Sequence, residues 1–125
     1  MTIRELVHIL SGEVVSGEDK LDETVEDFGA TDLLSDALAI EKENYALLTG
    51  LTNAQILRTA EITNAACVVI VRNKQPKQPA IILARRSGIP LILSPLNLFE
   101  ACCRLSPYVE KQDGGAARTP DPADT

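Results

Sequence analysis

Thr49-Gly50-Leu51-Thr52-Asn53 is the stretch of this chain best equipped to hold a small anion. Gly50 permits close backbone approach, two threonine hydroxyls and a carboxamide surround it, and the free N–H groups that open a following helix carry partial positive charge. Arg58 comes about a turn and a half later, and Arg72 and Lys74 lie further on, where a guanidinium can grip a phosphate through paired donors. Asp32 and Ser35, upstream, complete the candidate ligand-binding set. Helix capping by Thr52 with Gln55, and plain loop solubility for Arg72 and Lys74, account for the same residues without a ligand.

Other chemistry has less to work with. Cys67 lies in a buried-strand pattern, and Cys102 and Cys103 are adjacent, so no Cys-x-x-Cys ligand pair exists; all three read as small buried hydrophobes in a reducing cytosol. His8 is the only histidine and reads as a surface or boundary residue of a first helix, far from any evident nucleophile. Glu18, Asp19, Asp22, Glu23, Glu26 and Asp27 crowd a turn-rich region in which solvation explains them, and the spacing of a calcium loop is absent. The expectation is a protein that is no enzyme, with no catalytic residues, metal or cofactor.

The elements that must position the candidate set follow from periodicity. Thr2-Ile3-Arg4-Glu5 has capping-box form ahead of Leu6, Val7, Ile9 and Leu10, predicting a short helix that Gly12 ends. Residues 13–16 and 24–28 are brief β-like stretches about the polar turn Gly17-Glu18-Asp19-Lys20, hence a small hairpin-like region. Thr31 or Asp32 can cap a helix from Leu33 to Glu43. From Tyr45 onward the pattern becomes regular. Tyr45–Leu48, Ala66–Val71 and Ile89–Leu93 are strands beginning about every 22 residues, each followed by a helix: one capped at Thr52, one with Pro79 in its first turn and Gly88 as its stop, and one capped by Ser94-Pro95 and running to about Leu105. Such successive βα units give a mostly parallel sheet with its strand-to-helix turns on one edge, and the β-branched run at Val68–Val71 belongs at the sheet centre. The fold class is therefore α/β, a single three-layer-like domain over residues 1–109. The Gly/Pro-rich segment 110–125 reads as a disordered tail.

Composition agrees. The chain has 125 residues, enough for one core, with 45% apolar and only 3% aromatic residues and no Trp, so base-stacking platforms lack material. Net charge is −6, which argues against nucleic acid and anionic membranes as partners. Residues 1–43 set 12 acids against Arg4, Lys20 and Lys42, a net of −9, whereas the remainder is +3; complementary faces of that kind can hold two copies together. A cytoplasmic location follows from the lack of a signal-like start or spanning run.

With these residues in view, the chain resembles the DRTGG domain, an α/β module known alone, within CBS-domain pyrophosphatases and in some phosphate acetyltransferases. The resemblance spans about residues 3–106 and rests on Ser11-Gly12, Asp32-Leu33-Leu34-Ser35-Asp36, Leu48-Thr49-Gly50-Leu51-Thr52-Asn53, Arg58-Thr59-Ala60-Glu61, Val68–Val71 with Arg72-Asn73-Lys74-Gln75-Pro76, and Phe99-Glu100-Ala101, and it looks like the stand-alone branch. Thr49-Gly50 stands for the family's Thr-Gly, Leu51 occupies its second Gly position, and Asp32 lies in the region of its Asp. The resemblance implies a non-catalytic regulatory or assembly module, a homodimer that binds an adenine nucleotide or another small anion. The alternative it raises is a scaffold subunit accessory to a redox or hydrogenase complex, with a partner protein and no small-molecule ligand.

Overall fold

The computed structural model describes residues 1–109, and its order is α1 (Ile3–Ile9), β1 (Glu13–Ser16), β2 (Asp27–Ala30), α2 (Leu34–Leu38), β3 (Tyr45–Thr49), α3 (Ala54–Ile62), β4 (Cys67–Ile70), α4 (Gln78–Ser87), β5 (Leu91–Leu93) and α5 (Leu98–Leu105). The strands form one sheet in the order β1-β5-β4-β3-β2, in which β2 to β5 are parallel and β1 runs antiparallel along β5. The fold is thus the mixed α/β, mostly parallel arrangement that the βα spacing predicts, with β4 in the middle.

Alternation of side chains along the strands sorts the core into two layers. Ala46, Leu48, Cys67, Val69 and Ile92 face α1 and α5 through Leu6, Leu10, Ala101 and Leu105. Tyr45, Leu47, Val68, Ile70 and Leu91 face α2, α3 and α4 through Ala37, Ile56, Leu57, Ala60, Ala80 and Ala84. Because β2, β3, β4 and β5 are laid down in one direction, right-handed crossovers put α2, α3 and α4 on the same face. Beyond β2, the chain changes face only after β5.

Several local expectations are corrected. β1 and β2 form no hairpin: they lie on opposite edges of the sheet, since the polar stretch between them folds as a 3-10 turn, Glu18–Lys20, and the chain then runs beside α1, with the N–H groups of Ile3 and Arg4 donating to the Glu23 and Leu21 carbonyls. The helix predicted from Leu33 to Glu43 is only Leu34–Leu38, because another turn on the face of Leu34 and Ala37 would bring Glu41 inward; neither Thr31 nor Asp32 is its cap. The cap of α3 is Asn53, whose carboxamide accepts from Ile56 N–H, and not Thr52. The cap of α5 is Asn97, in a capping box with Glu100, because Ser94 is buried and its hydroxyl donates to the Leu10 carbonyl at 2.7 Å. The capping box of α1 and the left-handed Gly88 stop of α4 form as predicted, while Ser11 (φ 53), next to Gly12, takes the left-handed position after α1.

The β2 edge is closed by side chains. Lys42 Nζ donates to the Phe28 carbonyl at 2.6 Å and pairs with Asp27, and the Phe28 N–H donates to Asp27 Oδ1 at 2.8 Å. Both backbone groups of Phe28 are satisfied without a sixth strand.

Gly17 adopts φ +86 where the 3-10 turn begins, and a Cβ there would lie 2.5 Å from Pro90 Cα. Gly17→Ala is expected to lower unfolding free energy by about 2 kcal/mol or more in urea titrations, from left-handed strain together with a backbone clash. A loss below about 0.5 kcal/mol would contradict this account of the corner.

Candidate ligand site

Three loops meet at the C-terminal edge of the sheet, after β2, β3 and β4. The first supplies Asp32, whose Oδ1 accepts the Gly50 N–H at 2.6 Å. The second supplies Gly50, which is buried and has no left-handed φ; its missing side chain is explained by crowding, since a Cβ would sit 3.0 Å from Asp32 Oδ1 and 3.4 Å from Arg72 Nη2. The third supplies Arg72, exposed and held in a left-handed conformation (φ 61) next to a left-handed Asn73 (φ 50). Those unusual angles are fixed by backbone bonds, Arg72 N–H to the Leu96 carbonyl at 2.8 Å and Asn73 N–H to the Ser94 carbonyl at 2.9 Å. Among the described residues the ion pairs are Arg4–Asp22 and Lys42–Asp27, so the Arg72 guanidinium has no carboxylate partner within 4.0 Å there.

The rest of the Thr49–Asn53 loop bonds largely to itself. Thr49 is buried and its hydroxyl accepts from Leu51 N–H at 3.1 Å; Asn53 caps α3; the Thr52 carbonyl accepts from Lys77 N–H at 2.9 Å, which ties this loop to the start of α4. Asp32, Gly50 and Arg72 are therefore brought together. Arg58 lies on the exposed side of α3 and donates to Gln55 on its own helix, and Ser35 is exposed on α2. Lys74 is exposed in the loop after β4, with its N–H on the Val71 carbonyl.

Ser94, expected only as a helix cap, lies with Leu96 and Asn97 in the loop after β5. In open α/β sheets a ligand crevice forms where neighbouring strands send their helices to opposite faces. Here that happens between β4, leading to α4, and β5, leading to α5, and not at β3. The Arg72–Leu96 and Asn73–Ser94 bonds bridge this gap, so backbone fills the place where a ligand would otherwise enter. The one signal for it is Ser94-Pro95 directly after a short strand, which reads equally well as a helix start.

Open space lies elsewhere. A cavity of about 700 Å³ beside β2 is lined by Met1, Val25, Phe28, Tyr108 and Val109 among others, and Phe28 and Val109 also line an apolar depression of about 130 Å³ reaching Leu48, Cys102 and Leu105. Neither touches Gly50 or Arg72. The described residues include no group of three or more potential metal ligands, and no helix among them is long and apolar enough to cross a membrane. Burial pushes the Tyr45 hydroxyl above its usual range, opposed by its hydrogen bond with Thr63.

A family model described as the DRTGG domain matches residues 5–107. Among solved structures, the crystal structure of the CBS and DRTGG domains of the regulatory region of Clostridium perfringens pyrophosphatase, complexed with the activator diadenosine tetraphosphate, superposes with a TM-score of 0.69 at 17% identity; the match covers 90% of this chain and 51% of that one. This chain spans about half the length of that regulatory region.

The three thiols differ in a way that can be read directly. Cys67 is wholly buried in β4 and burial pushes its pKa up to about 12, whereas Cys102 and Cys103 are exposed on α5, contrary to the expectation that all three are buried, because Ala101 and Leu105 take the inward positions. Treatment of native protein with a thiol reagent near neutral pH is expected to modify two cysteines and to reach the third only on unfolding. Modification of Cys67 in the native state would show that β4 opens locally.

Proposed function

The chain belongs to the DRTGG domain family, and from that premise we propose that it is a non-catalytic regulatory module that works as a homodimer in the cytoplasm and binds an adenine nucleotide or another small anion at the corner of Asp32, Gly50 and Arg72. The observation that carries the site is Arg72: its guanidinium stands beside the Gly50 backbone without a carboxylate partner among the described residues, on a backbone held in place by two bonds across the sheet edge. A charged fork with free donors next to a buried glycine is suited to phosphate oxygens. Support for the ligand class comes from the pyrophosphatase regulatory region, which was crystallised with an adenine dinucleotide. Support for a regulatory role comes from the match to the DRTGG domain and from the likeness to a pyrophosphatase's regulatory region.

A scaffold role is the second reading, favoured by the apolar depression at Phe28, Leu48 and Leu105, next to a cavity of mixed character beside β2, and by Phe99, 77% exposed on α5. Calorimetry and thermal shift with AMP and with diadenosine tetraphosphate separate the two, because a ligand that binds only the native state raises its melting temperature. The expected outcome is a rise with at least one of them, and Arg72→Ala weakening binding by about 1–3 kcal/mol with folding intact. Light scattering should give the mass of two chains at tens of micromolar. No binding at millimolar nucleotide leaves the scaffold reading as the better one, and a monomer refutes the dimer.

A further inference from the structure

Resting on the site reading above, we propose that Asp32 is a built-in competitor for the anion position at Gly50, so that an anionic ligand binds by displacing its carboxylate and α2 moves with that displacement. The Gly50 N–H belongs to the residue whose absent Cβ would stand 3.4 Å from Arg72 Nη2, and at 2.6 Å it already holds a carboxylate oxygen. A phosphate oxygen drawn in by Arg72 meets the same N–H, and two anions do not share one donor without strong repulsion. Gly50 has no conformational need to be glycine; a Cβ would crowd both Asp32 Oδ1 and Arg72 Nη2, so the missing side chain keeps room for these two groups to meet a third.

The segment that carries Asp32 is lightly held. Its helix α2 has five residues, starts at Leu33 with no side-chain cap, and buries fully only Ala37, while Leu33 and Leu38 are 59% and 50% exposed. A helix this short depends on tertiary contacts for its existence, and few contacts mean a low cost of moving it. Occupation of the corner is thereby coupled to the position of α2, which packs against α3 on the face away from α1 and α5.

Asp32→Asn keeps the side-chain shape and an acceptor oxygen while removing the charge. Calorimetry with inorganic phosphate and with AMP, on wild type, Asp32→Asn and the Asp32→Asn/Arg72→Ala pair, is expected to show roughly tenfold tighter binding of both probes in the single variant, abolished in the pair. In wild type the amide resonance of Gly50 should shift on saturation along with those of Leu34 to Leu38. Unchanged or weaker binding by a folded Asp32→Asn protein overturns the competitor while leaving the nucleotide reading in place if wild type binds AMP. Tighter phosphate binding by Asp32→Asn, with no AMP binding by either wild type or variant, upholds the competitor and removes the nucleotide. Absence of binding by every variant overturns both. If Asp32→Asn melts early, Asp32→Ser, which offers a neutral hydroxyl, repeats the comparison.

Discussion

The side chains of Tyr45–Thr49 and Cys67–Ile70 meet no solvent on either face of the sheet, and that double burial organises the molecule. A strand covered on both sides needs a layer of helices above and below, so α2, α3 and α4 are required on one face and α1 and α5 on the other. With almost no aromatic residues, both layers are filled by Leu, Ile, Val and Ala. Small residues at Ala37, Ala60, Ala80, Ala84 and Ala101 are the contact points of the helices and bring them close to the strands.

That same topology determines which chemistry reaches the surface. Laying four parallel strands in one direction keeps three crossovers on one side, so no crevice opens at β3, and the single change of face at β4 and β5 is bridged by backbone. What remains at the C-terminal edge is a corner in which the Asp32 carboxylate accepts the Gly50 N–H and the Arg72 guanidinium lies on the other side of the glycine, unpaired with that carboxylate. Its character is electrostatic, set by a carboxylate and a guanidinium on either side of a backbone donor. The cavities gather instead around Phe28 and Val109, two strands away from Arg72's own, one of mixed lining with Thr24 and Glu26 and one mostly apolar. Two surfaces of different chemistry therefore sit on different parts of one small domain.

Much of this was legible in the residues, and the limits have physical causes. The continuous β-branched run at Val68–Val71 could be read as a central strand because only a fully covered strand tolerates it, and the 22-residue spacing carried the parallel order. Gly88 and the Thr2-Glu5 box were readable because capping is local. Asn53 and Asn97 were missed as caps because a hydroxyl or a turn residue stood just before each, and the choice was made by long-range bonds: Ser94 to Leu10, Thr52 to Lys77. The hairpin failed for the same reason, since nothing near Gly17 records that β5 waits for one strand and β3 for the other. Within the candidate set, Asp32, Gly50 and Arg72 converge because they follow three neighbouring parallel strands, whereas Arg58 was placed by sequence proximity to Gly50 and the turn of α3 carries it outward.

Lys42 gives the sheet a finite width. By occupying the Phe28 carbonyl, with Asp27 taking the N–H, it removes the template on which another strand would grow, and the bulge between Val14 and Ser16 roughens the far edge. At Phe28 an approaching strand would meet side chains in place of free backbone groups. A single ammonium group, with the Asp27 carboxylate beside it, blocks the β2 edge at Phe28.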